Sequence, residues 1–361
     1  MTREEDVARK VEEVRNYIRE RNKKGAVLSL IENFAWITSG ARSYVALTDS
    51  VGAAWALITT DESYILTKNI ETTRMKNEEL PSNFKIVEFD WFTDPKESIK
   101  KIVDDQNILY EEEPQFANFL FNSRIKLSEY EIQRYAEVGE KSAIALEKAM
   151  LEIKPEMTEI QVKGIIENEV AAQGLDSLLV LVFGDESRRK YRHNLPREVK
   201  IGKRCFASIC AKKYGLVISS TRTVEFGKDS QFESQYFKNM EVEAGILDAT
   251  YRMSSLGQVF FEIEKGYASH GYPDEWKLHH QGGIAGYKTR ELVAIPHMPF
   301  EITDGMAFAW NPTITGTKLE DTYVKLENGM KLLSFYPKSN WPYKEINING
   351  RIYRRPDILK L

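Results

Sequence analysis

SICAKKYGLVISSTRT, residues 208–223, overlaps two runs of small and β-branched residues, CFASICA and YGLVISS, both read as strands. Working outward, LLVLVFG, MAFAW and TYVKL have the same texture, so the C-terminal part is strand-rich. One helical stretch, roughly Phe232 to Gly266, interrupts it. Upstream, Ser128 and Glu131 form a capping box that opens a long helix running to about Ile153, before Pro155. Thr158 and Gln161 repeat the pattern, with Gly174 as the stop. Further out, Thr2 and Glu5 open a first helix carrying Val7, Val11, Val14 and Ile18 at helical spacing and ending near Asn22. The runs GAVLSLI, GAAWALITT, SYILT, KIVEFDWF and NILYEEE follow as strands. This alternation predicts a compact α/β domain over 1–125 and a second domain over 126–361, α+β as a whole, with no tandem repeat or low-complexity tract.

The composition suits an ordinary globular protein: 361 residues, 42% hydrophobic and 29% charged. Lys and Arg number 50 against 54 Asp and Glu, a net charge of -4, which argues against a nucleic-acid footprint. The cluster Arg188-Arg189-Lys190 with Arg192 is too short to change that. Cys205 and Cys210 are the only cysteines, so neither a disulfide framework nor a thiolate zinc site is expected. No apolar run approaches the ~20 residues that span a bilayer, and the charged N-terminus lacks a signal-peptide core. A cytoplasmic protein with no membrane partner is expected.

The ending of the opening stretch, GLVISSTRT, resembles the "GYxxDxTRT" segment of the creatinase, Xaa-Pro dipeptidase and methionine aminopeptidase superfamily, the pita-bread fold. The likeness continues in order: GGIAGYKTRE at 282–291 with "GHGIGLEVHE", DGMAFAWNP at 304–312 with "PGMVFTIEP", and TKLEDTYVKLENG at 317–329 with "xRIEDTVLVTExG". ENFAWITSG at 32–40 and LTKNIETTRMKNEEL at 66–80 are similar to the small domain of the creatinase and dipeptidase branch. The resemblance implies a creatinase-like N-terminal domain, a C-terminal pita-bread domain and a homodimer, with Trp36 as a contributor to the opposite site.

In the metal-dependent members two Asp, one His and two Glu hold two divalent ions, which activate water and polarise a carbonyl. At the matching positions this chain has Ser208, Ser219, Gly283, Asn311 and Glu320. Only Glu320 is a family ligand, so no metal and no other cofactor is expected. His193 falls where creatinase, a metal-free C–N hydrolase of the family, has its general base; imidazole titrates near neutrality and suits that role. Glu320 could orient it or act as a second acid/base. Arg290 replaces a family histidine, Arg222 is kept from "TRT", and Lys318 precedes the "ED". Guanidinium forks suit carboxylates and phosphates, so Arg222, Arg290 and Lys318, with Asn311, Ser208 and Ser219, are expected to receive an anionic group of a small ligand. Alternatively, these cations form a structural network with Glu291, Glu320 and Asp321.

His279 and His280 would point to opposite faces if they lay on a strand, so at most one reaches the pocket; His280 is taken as a binding candidate. Trp310 reads as an aromatic wall beside Asn311. A nucleophilic serine lacks the GxSxG elbow, and Cys210 reads as a small hydrophobe. Three functions remain open: a metal-independent enzyme, hydrolase or lyase, acting on a C–N bond of a small amino-acid-like, amide or guanidino substrate bearing an anionic group; a pseudoenzyme that binds a ligand or partner; and an Xaa-Pro dipeptidase or aminopeptidase with an atypical metal set.

Overall fold

The computed structural model describes residues 1–361. The chain divides into two compact units, residues 1–133 with 214–216, and residues 134–213 with 217–361. The division falls a few residues beyond 125, inside the first turns of a long helix.

The first unit contains α1 (Arg3–Glu20), β1 (Gly25–Leu30), α2 (Ile31–Ile37), β2 (Val51–Thr59), β3 (Ser63–Lys68), α3 (Thr72–Arg74), β4 (Lys85–Phe89), α4 (Pro95–Lys100), β5 (Ile108–Tyr110) and α5 (Pro114–Arg124). The Thr2–Glu5 capping box is present, and Val7, Val11, Val14 and Ile18 are buried along one face of α1. The strands form one mixed sheet in the order β4-β3-β2-β1-β5. Val27, Leu57, Leu66 and Phe89 pack with Ile99, Val103 and Ile108 on one side of it. Trp36 is fully buried, with the Lys10 ammonium 5.8 Å from its ring centroid. The expectation that Trp36 reaches a partner's site therefore fails, because its side chain is spent on the unit's own core.

The long helix α6 (Glu129–Glu152) starts at the Ser128–Glu131 box, whose reciprocal bonds are 2.7 and 3.2 Å. The second unit continues with α7 (Glu159–Ala172), β6 (Asp176–Phe183), α8 (Ser187–Lys190), β7 (Arg204–Lys213), β8 (Leu216–Glu225), α9 (Ser230–Arg252) and α10 (Leu256–Ser269). Short strands follow: β9 (Gly282–Ala285), β10 (Leu292–Val293), β11 (Ala307–Trp310), β12 (Thr313–Ile314), β13 (Thr317–Lys318), β14 (Asp321–Leu326), β15 (Gly329–Leu332), β16 (Tyr343–Ile348), β17 (Arg351–Pro356) and β18 (Leu359–Lys360). The helical stretch expected over 232–266 is two helices. Ser255 caps the second through the Gln258 N–H, and Ser254 binds the Gln258 side chain, so the serines end one helix and start the next.

Two sheets position the site: β18-β8-β7-β6 and the antiparallel β10-β9-β11-β14-β15. They meet where the Thr221 N–H donates to the Glu320 carbonyl (2.8 Å) and the Ser219 N–H to Thr322 Oγ1 (2.9 Å). Helix α9 packs on α10, β13, β16 and β17. The whole is an α+β protein. None of its helices is long and apolar enough to cross a membrane.

Candidate functional site

At that junction lies a cavity of about 280 Å³, lined by Leu179, Leu181, His193, Ser208, Cys210, His280, Thr289, Arg290, Val293, Asn311, Lys318 and Glu320. Its size suits a small ligand rather than a long peptide. Glu320 is the one carboxylate among the lining residues.

One wall is made of imidazole. His193 sits in a loop whose neighbours are both tied down. Arg192 bonds Glu275 at 2.7 Å and Thr313 at 3.0 Å, while the Asn194 amide donates to Glu159 (2.9 Å) and the Val182 carbonyl (2.6 Å). Glu275 opens the short turn leading into His279, so the Arg192–Glu275 pair draws the two histidine segments together. His193 Nε2 lies 3.0 Å from His279 Nε2. The His279 and His280 rings stack with centroids 4.4 Å apart, and His280 is 5.7 Å from the His193 ring. His279 is buried, whereas His193 and His280 are exposed at the edge. Only His280 of the two lines the cavity, as expected, but both rings meet His193, because β9 begins only at Gly282 and positions 279 and 280 lie outside strand alternation. Gln281 fixes the turn by donating to the His279 carbonyl at 2.6 Å and accepting from the Tyr267 hydroxyl at 2.8 Å. Burial, assisted by Lys318, holds the three imidazoles below their ordinary value, His279 at about 2 and His280 at about 4, with Arg290 the second cause for His280. They are neutral at pH 7.

The facing wall is cationic. Arg290 Nη2 donates to Glu320 Oε1 at 2.6 Å, its Nη1 reaches Ser219 Oγ at 3.2 Å, and Lys318 Nζ stands 3.4 Å from Glu320 Oε2. Burial works to raise the Glu320 carboxyl, but Lys318 and Arg290 together outweigh it and hold it below its ordinary value. Two cations thus face one carboxylate. Asn311 presents a buried Oδ1 without a hydrogen-bond partner, and Ser208 Oγ shares a 2.7 Å bond with Thr221 Oγ1.

Three expected site residues are elsewhere. Arg222 is fully buried, and its five N–H groups meet Glu147, the Thr221 carbonyl, Asp321, the Ser334 carbonyl and Tyr343 at 2.9–3.3 Å. A guanidinium has five donors, so none is left for a ligand; Arg222 is structural. Ser219 does not line the cavity and instead holds Arg290 and contacts Cys210 Sγ at 3.4 Å. Trp310 is fully buried against Phe308 and forms no wall of the cavity. Cys210 does line it, but burial pushes its thiol up, away from the reactive thiolate. His279 does not line the cavity but meets His193 beside it, and its sequence signal is that it adjoins His280.

Gly283 has a steric reason to be glycine. Its φ is 152°, and a Cβ there would stand 2.2 Å from the Leu292 carbonyl oxygen and 2.8 Å from the Ala294 nitrogen. The backbone of β10 closes the position to histidine or any other side chain.

Residues 133–330, more than half of the chain, match metallopeptidase family M24, and the chain belongs to that family. Its fold is that of the prolidase from Pyrococcus horikoshii OT3, with a TM-score of 0.73 at 17% identity over 92% of this chain and 99% of that one. The Xaa-Pro dipeptidase from Bacillus anthracis is similar at 0.72 and 16%, over 92% and 99%. So is the X-Pro aminopeptidase from Thermotoga maritima MSB8, at 0.73 and 17%, over 94% and 98%. At such identities the likeness speaks to the fold alone. A sequence search of curated proteins finds no match.

Proposed function

We propose that this family member is a hydrolase of C–N bonds in small, anion-bearing amino-acid-like, amide or guanidino substrates, working without the family's paired metal ions. The carrying observation is the cavity itself: neutral imidazoles on one wall, and Arg290 and Lys318 against the single carboxylate of Glu320 on the other. The residues do not fit two divalent ions. Hard cations need several carboxylate oxygens; Glu320 alone is offered, already engaged by two cations, and Gly283 has no room for a side chain.

In this reading the surplus positive charge and the free Asn311 oxygen orient the substrate, its anionic group toward Lys318 and Arg290. His193 donates its Nε2–H to His279 Nε2, and its Nδ1 takes a proton from the attacking water as the oxygen adds to the carbon. It returns that proton to the leaving nitrogen as the C–N bond breaks. His279, accepting that hydrogen bond at 3.0 Å, orients the ring. The M24 membership and the prolidase-like fold support the hydrolase class.

The test is turnover of a panel of small carboxylate-bearing amides and guanidino acids by protein dialysed against EDTA. Retained turnover that disappears in His193→Ala, with melting unchanged, supports the reading. Strict dependence on added Mn²⁺ or Co²⁺ with two equivalents bound overturns it. Ligand binding without turnover of any panel member would make the cavity a binding site instead.

A further inference from the structure

We propose that His193, His279 and His280 form an all-imidazole site for one borderline divalent transition metal, Zn²⁺ or Cu²⁺, on one wall of the cavity and with none of the ligands of the family's paired-ion centre. Each histidine offers a ring nitrogen, and the three nitrogens lie within 4.8 Å of one another. Tetrahedral zinc with Zn–N of about 2.0–2.1 Å needs its nitrogens roughly 3.4 Å apart. The His193–His279 spacing of 3.0 Å is already close to that, and exposed His193 and His280 close the remainder by rotating their rings. A buried residue anchors the set. His279 is 7% exposed and its Nδ1 has no hydrogen-bond partner, so the ring can hold its proton there while Nε2, the nitrogen that meets His193, binds a cation.

The donor set selects the metal. Three neutral nitrogens and no oxygen ligand suit zinc or copper and exclude magnesium or calcium. Arg290 and Lys318 would oppose a bare dication, but Glu320 pairs with both. The open fourth position would take an anion or hydroxide, which the same cations favour. The consequence follows from valence: a metal on His193 Nε2 replaces the hydrogen bond to His279 and puts the ring's proton on Nδ1, so metal binding and proton uptake at Nδ1 exclude each other. Binding itself does not rest on the hydrolase reading and is measured without substrate.

Chelator-stripped protein is titrated with Zn²⁺ by calorimetry, and its Cu²⁺ form is examined by electron paramagnetic resonance. One equivalent should bind. The copper spectrum should show coupling to three imidazole nitrogens, falling to two in His280→Ala with at least tenfold weaker Zn²⁺ binding. His280 is exposed, so that variant should melt like the parent in EDTA; His270→Ala, at the end of α10, should bind as the parent does. No binding at one equivalent, two equivalents, or binding and copper spectra unchanged in both His279→Ala and His280→Ala would each overturn the site.

Discussion

Glu320 and Asp321 are adjacent carboxylates in two ion networks of opposite character. Asp321 is fully buried between Arg222 at 3.0 Å and Arg355 at 3.1 Å. Those guanidiniums also engage Glu147 and Glu243. Glu320 turns the other way, onto a cavity, with Arg290 and Lys318. The first network has three carboxyl groups for two guanidiniums; the second has two cations for one carboxylate. The difference teaches where charge is structural and where it is left over for a ligand. In the core every guanidinium donor of Arg222 is used. At the cavity the surplus is positive and faces open space.

The strongest way to break this contrast is Asp321→Asn. It leaves two buried guanidiniums short of charge, and breaking such a pair costs about 3–5 kcal/mol. A urea denaturation midpoint implying less than about 1 kcal/mol would remove the distinction. Next comes Gly283→Ala, which forces a Cβ onto the β10 backbone at positive φ and should cost about 2–3 kcal/mol; equal stability would show that the position is open. A third experiment sharpens the charge count. Burial, with Asp321 nearby, raises the Glu243 carboxyl to about 7 in spite of Arg355. The folded chain therefore holds more protons than the unfolded chain between its ordinary 4.5 and about 7, so this group's contribution to stability falls as pH rises through that window. Glu243→Gln should remove that slope, at most about 1.4 kcal/mol per pH unit; an unchanged slope would place the excess carboxyl elsewhere. The smallest effect is expected for Glu320→Gln. The cluster is buried, but the amide keeps a hydrogen bond to Arg290 and the two cations border the cavity, so the loss should be about 1–2 kcal/mol, with several-fold tighter binding of a small carboxylate by calorimetry. A loss matching that of Asp321→Asn, or weaker carboxylate binding, would make Glu320 a core residue like its neighbour.

The helix starts were legible in the chain because capping boxes are local: Thr2–Glu5, Ser128–Glu131 and Thr158–Gln161 all close as reciprocal bonds. The division of 232–266 was missed because its marks, Ser254, Ser255 and Gly257, are residues that helix interiors also tolerate singly and no proline accompanies them. The site was half legible. Residue types at the family positions pointed to a cavity with one carboxylate and several cations. Sequence distance hid which cation went where: Arg222 meets Asp321 and Glu147 from 99 and 75 positions away.

By itself the sequence determined the α+β order of elements, the family blocks and the chemical inventory of the pocket, since these depend on neighbours within a few residues or on residue identity alone. Only the tertiary structure decided that Arg222 serves the core while Arg290 serves the cavity, that Gly283 has no space for a side chain, and that His279 and His280 both meet His193. Those outcomes rest on side-chain direction in non-repeating backbone and on ion pairs between distant segments, neither of which has a period that a sequence can display.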